Sequence, residues 1–533
     1  MDKLNKKMMR QSLSILSFSL FLLIFFIASA MFIASPVVLN SIMQQEGQIT
    51  LLNIIFVIGV ILAGHILTIG VTFFQTALKR NYFVKAISKL YGYIFDISYD
   101  KYIDEGPSAL QNKTHEAVSA YTSFYFDTIP SLIINSLVVC ASVVVAFTVN
   151  PFVAILMFAT LPFNYIGYKL LNKKLSVLSV EMNKICSTAW ANENTLISQV
   201  DFIKQNPQNE LLLPFIERFR FSSQNITRKV NNTAMGISKA FTAINQIINN
   251  LLILILAFMM LNDTGAIGGA VFIMLVLPYF TESVSGLVRV NLSFAGINAA
   301  NTFLEDVESN RESTGSRTIE KIDTINFDVK EVVVKDKVLL TNIHFAAKRG
   351  DIIGIMGGSG LGKSTLLKML MKFRTADGIF VDGVPISEID NTSYRMLVSY
   401  YSQNTPIITD TLYNNLNFGR VPVTTSNYKE LKFLEKFENY DEVILENGAN
   451  LSAGDKQRIS LARFFTENAD VVIFDEPTSS LDKDTENEIL SSVLNNCKDK
   501  IVFLVSHDKQ ALHGCTQLYE IRDKNLIKIT PST

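Results

Sequence analysis

Six predominantly apolar stretches follow one another in the N-terminal part of the chain. They lie near residues 13–39, 51–77, 129–149, 152–171, 240–261 and 267–288. Each contains roughly the 20 helical residues that are required to cross about 30 Å of hydrocarbon. The third and fourth stretches are separated only by the sequence TVNPF, in which Asn150-Pro151 is typical of a turn. The pattern therefore predicts six transmembrane helices, of which the middle two form a tight helical hairpin.

Basic residues are distributed unevenly among the segments that connect these stretches. The N-terminus and the two long connections, residues 78–128 and 172–239, contain many lysines and arginines, whereas the short connections 40–50, 148–152 and 262–266 contain none. Cytoplasmic loops are enriched in Lys and Arg. We therefore predict a multi-pass protein of the cell (inner/cytoplasmic) membrane, with both termini and both long connections in the cytoplasm.

The composition of the chain changes after residue 305. Residues 306–322 contain the sequence DVESNRESTGSRTIEK, which is typical of a solvated linker. Strand-like and helix-like patterns alternate from there to the C-terminus. We predict a transmembrane domain over residues 1–305, a linker over 306–322 and a soluble α/β domain over 323–533. The predicted fold class is an α-helical membrane domain, whose helices have long cytoplasmic extensions, fused to an α/β P-loop domain.

A glycine-rich segment of the α/β domain has the spacing of a phosphate-binding loop. The sequence GGSGLGKST joins a strand-like pattern, DIIGIM, to a helix-like pattern, STLLKMLMKF, and fits G-x-x-x-x-G-K-[ST]. Glycines allow backbone N–H groups to approach phosphate oxygens at a helix N-terminus. Lys363 would lie near the β and γ phosphates of ATP, and the Ser364 hydroxyl would bind Mg²⁺. The predicted ATP-binding residues are Gly357, Gly358, Ser359, Gly360, Leu361, Gly362, Lys363, Ser364 and Thr365.

Two carboxylates follow a second buried-strand pattern, ADVVIF. Asp475 ends this pattern and is predicted to bind ATP through Mg²⁺. Glu476 comes next, where a carboxylate can orient or deprotonate an attacking water molecule. Another buried-strand pattern, KIVFLVSHD, contains His507, which is predicted to contact the γ-phosphate.

The sequence LSAGDKQRISLARFF, residues 451–465, precedes the Asp475 strand. It resembles the signature of the ATP-binding cassette (ABC) superfamily, LSGGQ followed by a helix. Six spans followed by one cassette are also similar to the arrangement of ABC exporter half-transporters, so the resemblance covers essentially the whole chain. It implies that Ser452, Ala453, Gly454 and Asp455 complete the ATP site of a second half-transporter, with Ser452 and Gly454 at the γ-phosphate. A helix N-terminus with an exposed hydroxyl agrees with such an anion site.

Four further segments resemble elements of this superfamily. SYYSQNTPIITDTLYNNLNFG looks like the Q-loop segment, which implies that Gln403 links Mg²⁺ or the attacking water to the membrane domain. SSLD, residues 479–482, is similar to the D-loop at the interface between two cassettes. YIDEGPSALQN and ENTLISQVDFIKQNPQNE resemble the coupling segments in the two long cytoplasmic connections.

Three features depart from the superfamily pattern, one of which is the segment between the Q-loop and the signature, which is shorter than usual. An aromatic residue that stacks on adenine is expected about 25 positions before the P-loop, where this chain has Val333 or Val334. Asp455 replaces the usual glutamine of the signature. Its carboxylate is expected either to weaken nucleotide binding or to require a neighbouring basic side chain.

These observations together predict ATP hydrolysis coupled to the export of a substrate from the cytoplasm by alternating access. The predicted substrate is a peptide, because the cassette, including the stretches SLARFF and EILSSVLNN, is loosely similar to exporters of antimicrobial peptides of the lasso-peptide microcin type. ATP and Mg²⁺ are the predicted cofactors, and a second, identical chain and the lipid bilayer are the predicted partners. Two alternatives remain: a regulatory or weakly catalytic half of a heterodimeric transporter, or an exporter or flippase of lipids or drugs.

Composition excludes some other classes. The net charge of -1 gives no indication of a nucleic-acid partner. The four cysteines form neither a CxxC pair nor a metal-ligand spacing, so they are expected to be reduced packing residues.

Overall fold

Helices in the N-terminal part of the protein contain the six predicted apolar stretches. The computed structural model describes residues 12–44, 51–205, 210, 212–262, 267–334, 337–358, 360–374, 376–402, 406–419, 424, 431, 434–437, 439–465, 469–476, 497–507 and 512–529. Its N-terminal helices are α1 Ile15–Gln44, α2 Leu51–Phe95, α3 Tyr99–Glu105, α4 Pro107–Ser123, α5 Ile129–Val149, α6 Pro151–Ser198, α7 Val200–Gln205, α8 Leu213–Asn262 and α9 Ile267–Ser309. A π-helical segment, Phe124–Thr128, joins α4 to α5.

Several of these helices are much longer than a membrane requires. Helices α2, α6 and α8 contain 45, 48 and 50 residues. At about 1.5 Å per residue, each spans about 70 Å, more than twice the hydrocarbon thickness. The long basic connections of the sequence are therefore largely continuations of apolar helices, with the short helices α3 and α7 between them.

The apolar windows agree with a multi-pass membrane protein. Within the described residues, four helical segments are long and apolar enough to cross a membrane: Ile55–Phe95, Pro107–Val149, Leu213–Phe258 and Gly269–Leu287. Ile15–Met31 and Pro151–Ile166 are shorter apolar helices. The count of six spans thus stays a prediction.

The predicted hairpin at Asn150-Pro151 is confirmed. Helix α5 ends at Val149, and α6 begins at Pro151, whose missing N–H costs nothing in the first turn of a helix. The Asn150 side chain caps α6 because its Oδ1 atom accepts hydrogen bonds from the backbone N–H groups of Phe152 and Val153, at 2.9 and 3.2 Å.

The end of α9 differs from the predicted linker boundary. The helix continues to Ser309, inside the segment predicted as linker. Two interactions stabilise this extension: the Asp306 carboxylate lies 2.9 Å from Nζ of Lys101 in α3, and Nδ2 of Asn310 donates to the backbone carbonyl of Asp306. The chain consists of two compact units, Met1–Arg311 and Glu312–Thr533, which meet just beyond the end of this helix in the sequence.

The second unit is built on a sheet. Its strands are β1 Thr324–Val334, β2 Lys337–Lys348, β3 Ile352–Met356, β4 Ile379–Val381, β5 Val384–Pro385, β6 Val398–Ser402, β7 Asp410–Thr411, β8 Val443–Ile444, β9 Val471–Asp475, β10 Ile501–Val505, β11 Gln517–Arg522 and β12 Asn525–Ile529. Its described α-helices are α10 Lys363–Leu370, α11 Asn391–Met396, α12 Leu412–Leu416 and α13 Ala453–Phe465. Among the described residues, ten strands form one sheet in the order β5-β4-β1-β2-β12-β11-β3-β10-β9-β6.

The middle of this sheet is parallel and buried. Strand β10 pairs in parallel with β3 on one side and β9 on the other, and β6 pairs in parallel with β9. Every residue of β10 is buried, and so is the apolar part of β9, Val471–Phe474. Strands buried on both faces require continuous apolar sequence, which explains why IVFLV and VVIF do not alternate. Because these strands are parallel, their carboxyl ends meet at one edge, where functional loops of α/β proteins lie.

Candidate nucleotide-binding site

The glycine-rich loop lies at this carboxyl edge, between β3 and α10. Gly360 and Gly362 have φ angles of +79° and +106°, a region that side chains rarely adopt. A Cβ atom on Gly362 would also lie 2.7 Å from the Leu340 side chain. The loop can therefore bring its backbone round to the start of α10 only with glycine at this position. Leu361 and Ser364 are exposed at its surface, whereas Thr365 is buried in α10.

Three side chains from separate segments meet beside this loop. The ammonium group of Lys363 donates to the carbonyl of Gly357 at 2.6 Å and lies 3.7 Å from Oε1 of Glu476. The same Glu476 oxygen lies 3.6 Å from Nδ1 of His507. Strand β10, which leads to His507, is placed between the strands that lead to the other two residues. The sheet order thus brings together three residues that the sequence identified one at a time.

Glu476 has an unusual backbone conformation. Its φ angle is +50°, and its N–H donates to the carbonyl of Val505 at 2.9 Å. A residue with a β-carbon is strained in this left-handed region, by roughly 1–2 kcal/mol. The hydrogen bond to β10 holds the chain in this conformation, which turns the Glu476 side chain towards Lys363 and His507.

Asp475 ends β9 and has a partner that sequence reasoning missed. The hydroxyl of Tyr400 donates to Oδ2 of Asp475 at 3.0 Å. Burial raises the pKa of the Asp475 carboxyl, and the Tyr400 hydrogen bond and the Lys363 charge oppose this rise. Tyr400 lies on β6, three residues before Gln403. Its position in the Q-loop segment was the only feature of the sequence that pointed to a place in this site. The parallel pairing of β6 with β9 brings Tyr400 close to Asp475.

The donors at this edge suit Mg²⁺. Over the described part of the chain, no three His, Cys, Asp or Glu side chains cluster as a self-sufficient metal site. Asp475 supplies one carboxylate, and Ser364 supplies an exposed hydroxyl at the start of α10. Mg²⁺ is usually held by one or two carboxylates together with substrate phosphates and water, rather than by a cage of protein ligands. The residues present therefore fit this ion.

The signature segment forms the N-terminus of α13. Ser452 and Ala453 are exposed, and Gly454 is half-buried, while Asp455 is buried with 4% of its surface exposed. Oδ1 of Asp455 lies 2.5 Å from Nζ of Lys436 and 3.2 Å from Nη1 of Arg458. The carboxylate thus has two basic neighbours. This agrees with the expectation that Asp455 requires a neighbouring basic side chain. Arg458 was detectable as the i+3 neighbour on a helix, whereas nothing in the local sequence pointed to Lys436.

Some predicted residues lie outside the described part of the chain. They are Ser359 of the glycine-rich loop, Gln403, and the D-loop residues 479–482. Val333 and Val334 are described: they end β1, and the side chain of Val333 is half-exposed. Their predicted relation to adenine stays a prediction.

Polar side chains within the apolar helices occupy different surroundings. Asn245 in α8 exchanges two hydrogen bonds with Asn164 in α6, at 2.7 and 3.0 Å. These amides line a cavity of about 10 Å³. Oδ1 of Asn249 is buried and has no hydrogen-bond partner among the described residues. Gln246 and Asn250 are exposed instead. The four amides of α8 therefore differ in exposure: Asn245 and Asn249 line the cavity, whereas Gln246 and Asn250 are exposed.

Comparisons with known proteins agree with this geometry. A family model described as "ABC transporter" matches residues 340–479. A "Probable ABC transporter ATP-binding/permease protein" of Haemophilus influenzae is 35% identical over 230 residues, which are 41% of this chain and 41% of that protein. An "ATP-dependent lipid A-core flippase" of Aliivibrio fischeri is 32% identical over 265 residues, 46% of this chain and 45% of the relative. The matches thus span less than half the length of these curated relatives.

A solved structure matches almost the entire chain. It is described as a bacterial Atm1-family ABC exporter with ATP bound, and it is similar with a TM-score of 0.84 and 17% sequence identity, over 95% of this chain and 94% of the other. At this identity the match shows a shared fold. Residues 340–479 thus match the ABC transporter family, and the chain as a whole shares the fold of that exporter.

Proposed function

We propose that this chain is one half of an ATP-driven exporter, in which ATP hydrolysis at the cassette moves a substrate out of the cytoplasm. The observation that carries the proposal is the convergence of Lys363, Glu476 and His507 at one sheet edge, with Oε1 of Glu476 within 3.7 Å of both basic groups. This edge faces the N-terminus of α10, where backbone N–H groups favour phosphate.

Each side chain has a distinct role in this proposal. Lys363 binds the β and γ phosphates as a point charge. Glu476 orients and deprotonates the attacking water, and His507 donates a hydrogen bond to the γ-phosphate. Tyr400 orients the Asp475 carboxylate. Mg²⁺, held by Ser364 and Asp475 with Gln403 as a further ligand, would neutralise the charge that develops on the phosphates.

We also propose that the working unit contains two copies of this chain. Ser452 and Gly454 lie at the N-terminus of α13, which suits the γ-phosphate of ATP on a facing cassette. The chain carries both the cluster of Lys363, Glu476 and His507 and a signature segment. Two identical chains are therefore sufficient to form complete ATP sites. Such a pair lies in the cell (inner/cytoplasmic) membrane with its termini and cassettes in the cytoplasm, as the distribution of basic residues favours.

The substrate we propose is a peptide. The loose resemblance of the cassette to antimicrobial-peptide exporters supports it. Among the relatives, one is named a lipid A-core flippase and another, from Debaryomyces hansenii, is named a mitochondrial iron-sulfur clusters transporter. Lipids are therefore the competing class.

The full-length protein in lipid nanodiscs tests this function. We expect ATP hydrolysis that depends cooperatively on ATP concentration, because two cassettes must meet, and that is stimulated by a peptide from a panel of peptides, lipids and drugs. The control is the same panel with the Glu476→Gln variant. Hydrolysis that occurs only after co-expression with a different half-transporter would support the regulatory alternative, and stimulation by lipids alone would refute a peptide substrate.

Cysteine labelling tests which face of α8 lines the translocation path. Amides are costly in hydrocarbon, so the exposed Gln246 and Asn250 are expected to face a water-filled cavity. Cysteines at 246 and 250 should react with a polar thiol reagent without nucleotide and be protected by ATP. A cysteine at 245 is the matched control and should react slowly in both conditions, because that position packs against Asn164. Unreactive cysteines at 246 and 250 would contradict this assignment.

A further inference from the structure

The signature hydroxyl is already engaged inside its own cassette. Oγ of Ser452 lies 2.7 Å from Oδ2 of Asp455, and the backbone N–H of Ser452 donates to the same oxygen at 3.1 Å. In return, the backbone N–H of Asp455 donates to Oγ of Ser452 at 3.2 Å. This reciprocal arrangement is a capping box, in which an N-cap serine and an acidic residue three positions later satisfy each other's donors.

The direction of these hydrogen bonds restricts what Ser452 can do. A serine hydroxyl has one proton. Since an ionised carboxylate only accepts hydrogen bonds, this proton is directed to Asp455, and Oγ presents lone pairs to its surroundings. Burial by itself raises the pKa of Asp455, but the hydrogen bonds from Lys436 and Ser452 outweigh this effect and hold the pKa below its usual range. Asp455 is therefore ionised at neutral pH.

We propose that Asp455 is a positioning residue that restrains the Ser452 hydroxyl, so that the hydroxyl donates to a γ-phosphate on the facing cassette only after it has left the carboxylate. The proposal rests on the proposed function, because it assumes that Ser452 meets ATP across two cassettes. It assigns to Asp455 a regulatory effect: cassette closure requires more ATP than the same site would need without this hydrogen bond.

The surroundings of Asp455 favour a restraint over simple repulsion of ATP. The carboxylate is buried, and both Lys436 and Arg458 contact its other oxygen, Oδ1. Its charge is thus compensated locally by two cations. For the Ser452 hydroxyl to bind ATP, its hydrogen bond to Oδ2 of Asp455 must break. This bond is strong because its acceptor is charged.

Replacement of Asp455 separates restraint of the Ser452 hydroxyl from repulsion of ATP. In Asp455→Ala the backbone N–H of residue 455 still caps Oγ of Ser452, but the hydroxyl proton is released. We expect the ATP concentration for half-maximal cassette closure to fall by about tenfold, the order that a charge-assisted hydrogen bond represents. Closure is measured by distance between spin labels on the two cassettes of the full-length protein in nanodiscs. Binding of ADP, which lacks a γ-phosphate, should be unchanged.

A double-mutant cycle identifies the hydroxyl as the carrier of the effect. In a Ser452→Ala background, Asp455→Ala should shift the ATP dependence by less than about twofold, since no hydroxyl remains to be released. An equal shift in both backgrounds would overturn the proposal, because the carboxylate would then act through its charge. Asp455→Asn keeps the shape of the side chain and should give a smaller shift in the same direction, because a neutral acceptor holds the hydroxyl less strongly.

A matched control tests whether loss of a helix cap is sufficient. Asp390 caps α11 through a hydrogen bond of 2.7 Å from the Ser393 N–H to Oδ2. Asp390→Ala should leave the ATP dependence of closure unchanged, and a shift like that of Asp455→Ala would overturn the proposal. Failure of the proposed function has a different signature: wild-type protein that neither closes nor hydrolyses ATP. Wild-type closure with no shift in Asp455→Ala would refute the restraint alone.

Discussion

Glu476→Gln is expected to slow ATP hydrolysis by about 10²- to 10⁴-fold while ATP binding is retained, because glutamine keeps the shape of the side chain but cannot accept a proton from water. Oε1 of Glu476 lies within 3.7 Å of Lys363 and His507, so the amide should still fit at this position. Single-turnover hydrolysis of radiolabelled ATP measures the chemical step, and the trapped nucleotide measures binding.

Two further variants separate the chemistry of Glu476 from its strained backbone. Glu476→Gly removes the carboxylate and also relieves the φ angle of +50°, so turnover should be lost while the free energy of unfolding rises by about 1 kcal/mol. Glu388→Gln, at an exposed glutamate elsewhere in the cassette, is the matched control and should hydrolyse ATP normally. Turnover near the wild-type rate in Glu476→Gln would place the general base elsewhere.

Lys363→Ala is expected to abolish tight ATP binding. The Lys363 side chain is 12% exposed, and its ammonium group is already held at the loop by the Gly357 carbonyl. Loss of one partner of a desolvated charge pair costs about 2–5 kcal/mol, which corresponds to roughly 30-fold to several thousand-fold in the dissociation constant. Equilibrium binding of a fluorescent ATP analogue to the full-length protein measures this change.

Two further variants, Lys363→Arg and Lys498→Ala, are the controls for Lys363→Ala. Lys363→Arg should restore only part of the affinity, because a planar guanidinium does not reproduce a compact point charge in a narrow loop. Lys498→Ala removes an exposed lysine of the same cassette and should bind ATP like the wild type. An unchanged dissociation constant in Lys363→Ala would contradict the assignment of this loop to phosphate.

The elements that depend on local sequence were predictable. The hairpin at Asn150-Pro151 follows from residues adjacent in the chain, since proline begins a helix easily and asparagine caps it. The glycine-rich loop was predicted because DIIGIM and STLLKMLMKF specify a strand and a helix on either side of it. The continuous apolar runs of β9 and β10 likewise predicted strands buried on both faces.

Contacts between distant residues were not predictable in this way. Asp306 near the end of α9 contacts Lys101 of another helix, and α9 continues to Ser309, inside the segment predicted as linker. Asn245 of α8 likewise pairs with Asn164 of α6, which is 81 positions away in the chain. Such contacts follow from how helices pack, which the periodicity of one helix does not specify.

By itself, the sequence determined the membrane-helix pattern, the P-loop and the identity of the candidate acids and bases, because hydropathy and glycine conformation act over a few neighbouring residues. Only the tertiary structure decided that Lys363, Glu476 and His507 share one edge, that Tyr400 holds Asp475, and that Asp455 turns inward. These outcomes depend on the strand order β3-β10-β9-β6 and on the approach of Lys436 to α13. The physical reason is that a charge is compensated by whichever group folding brings within a few ångströms, and chain separation does not limit which group that is.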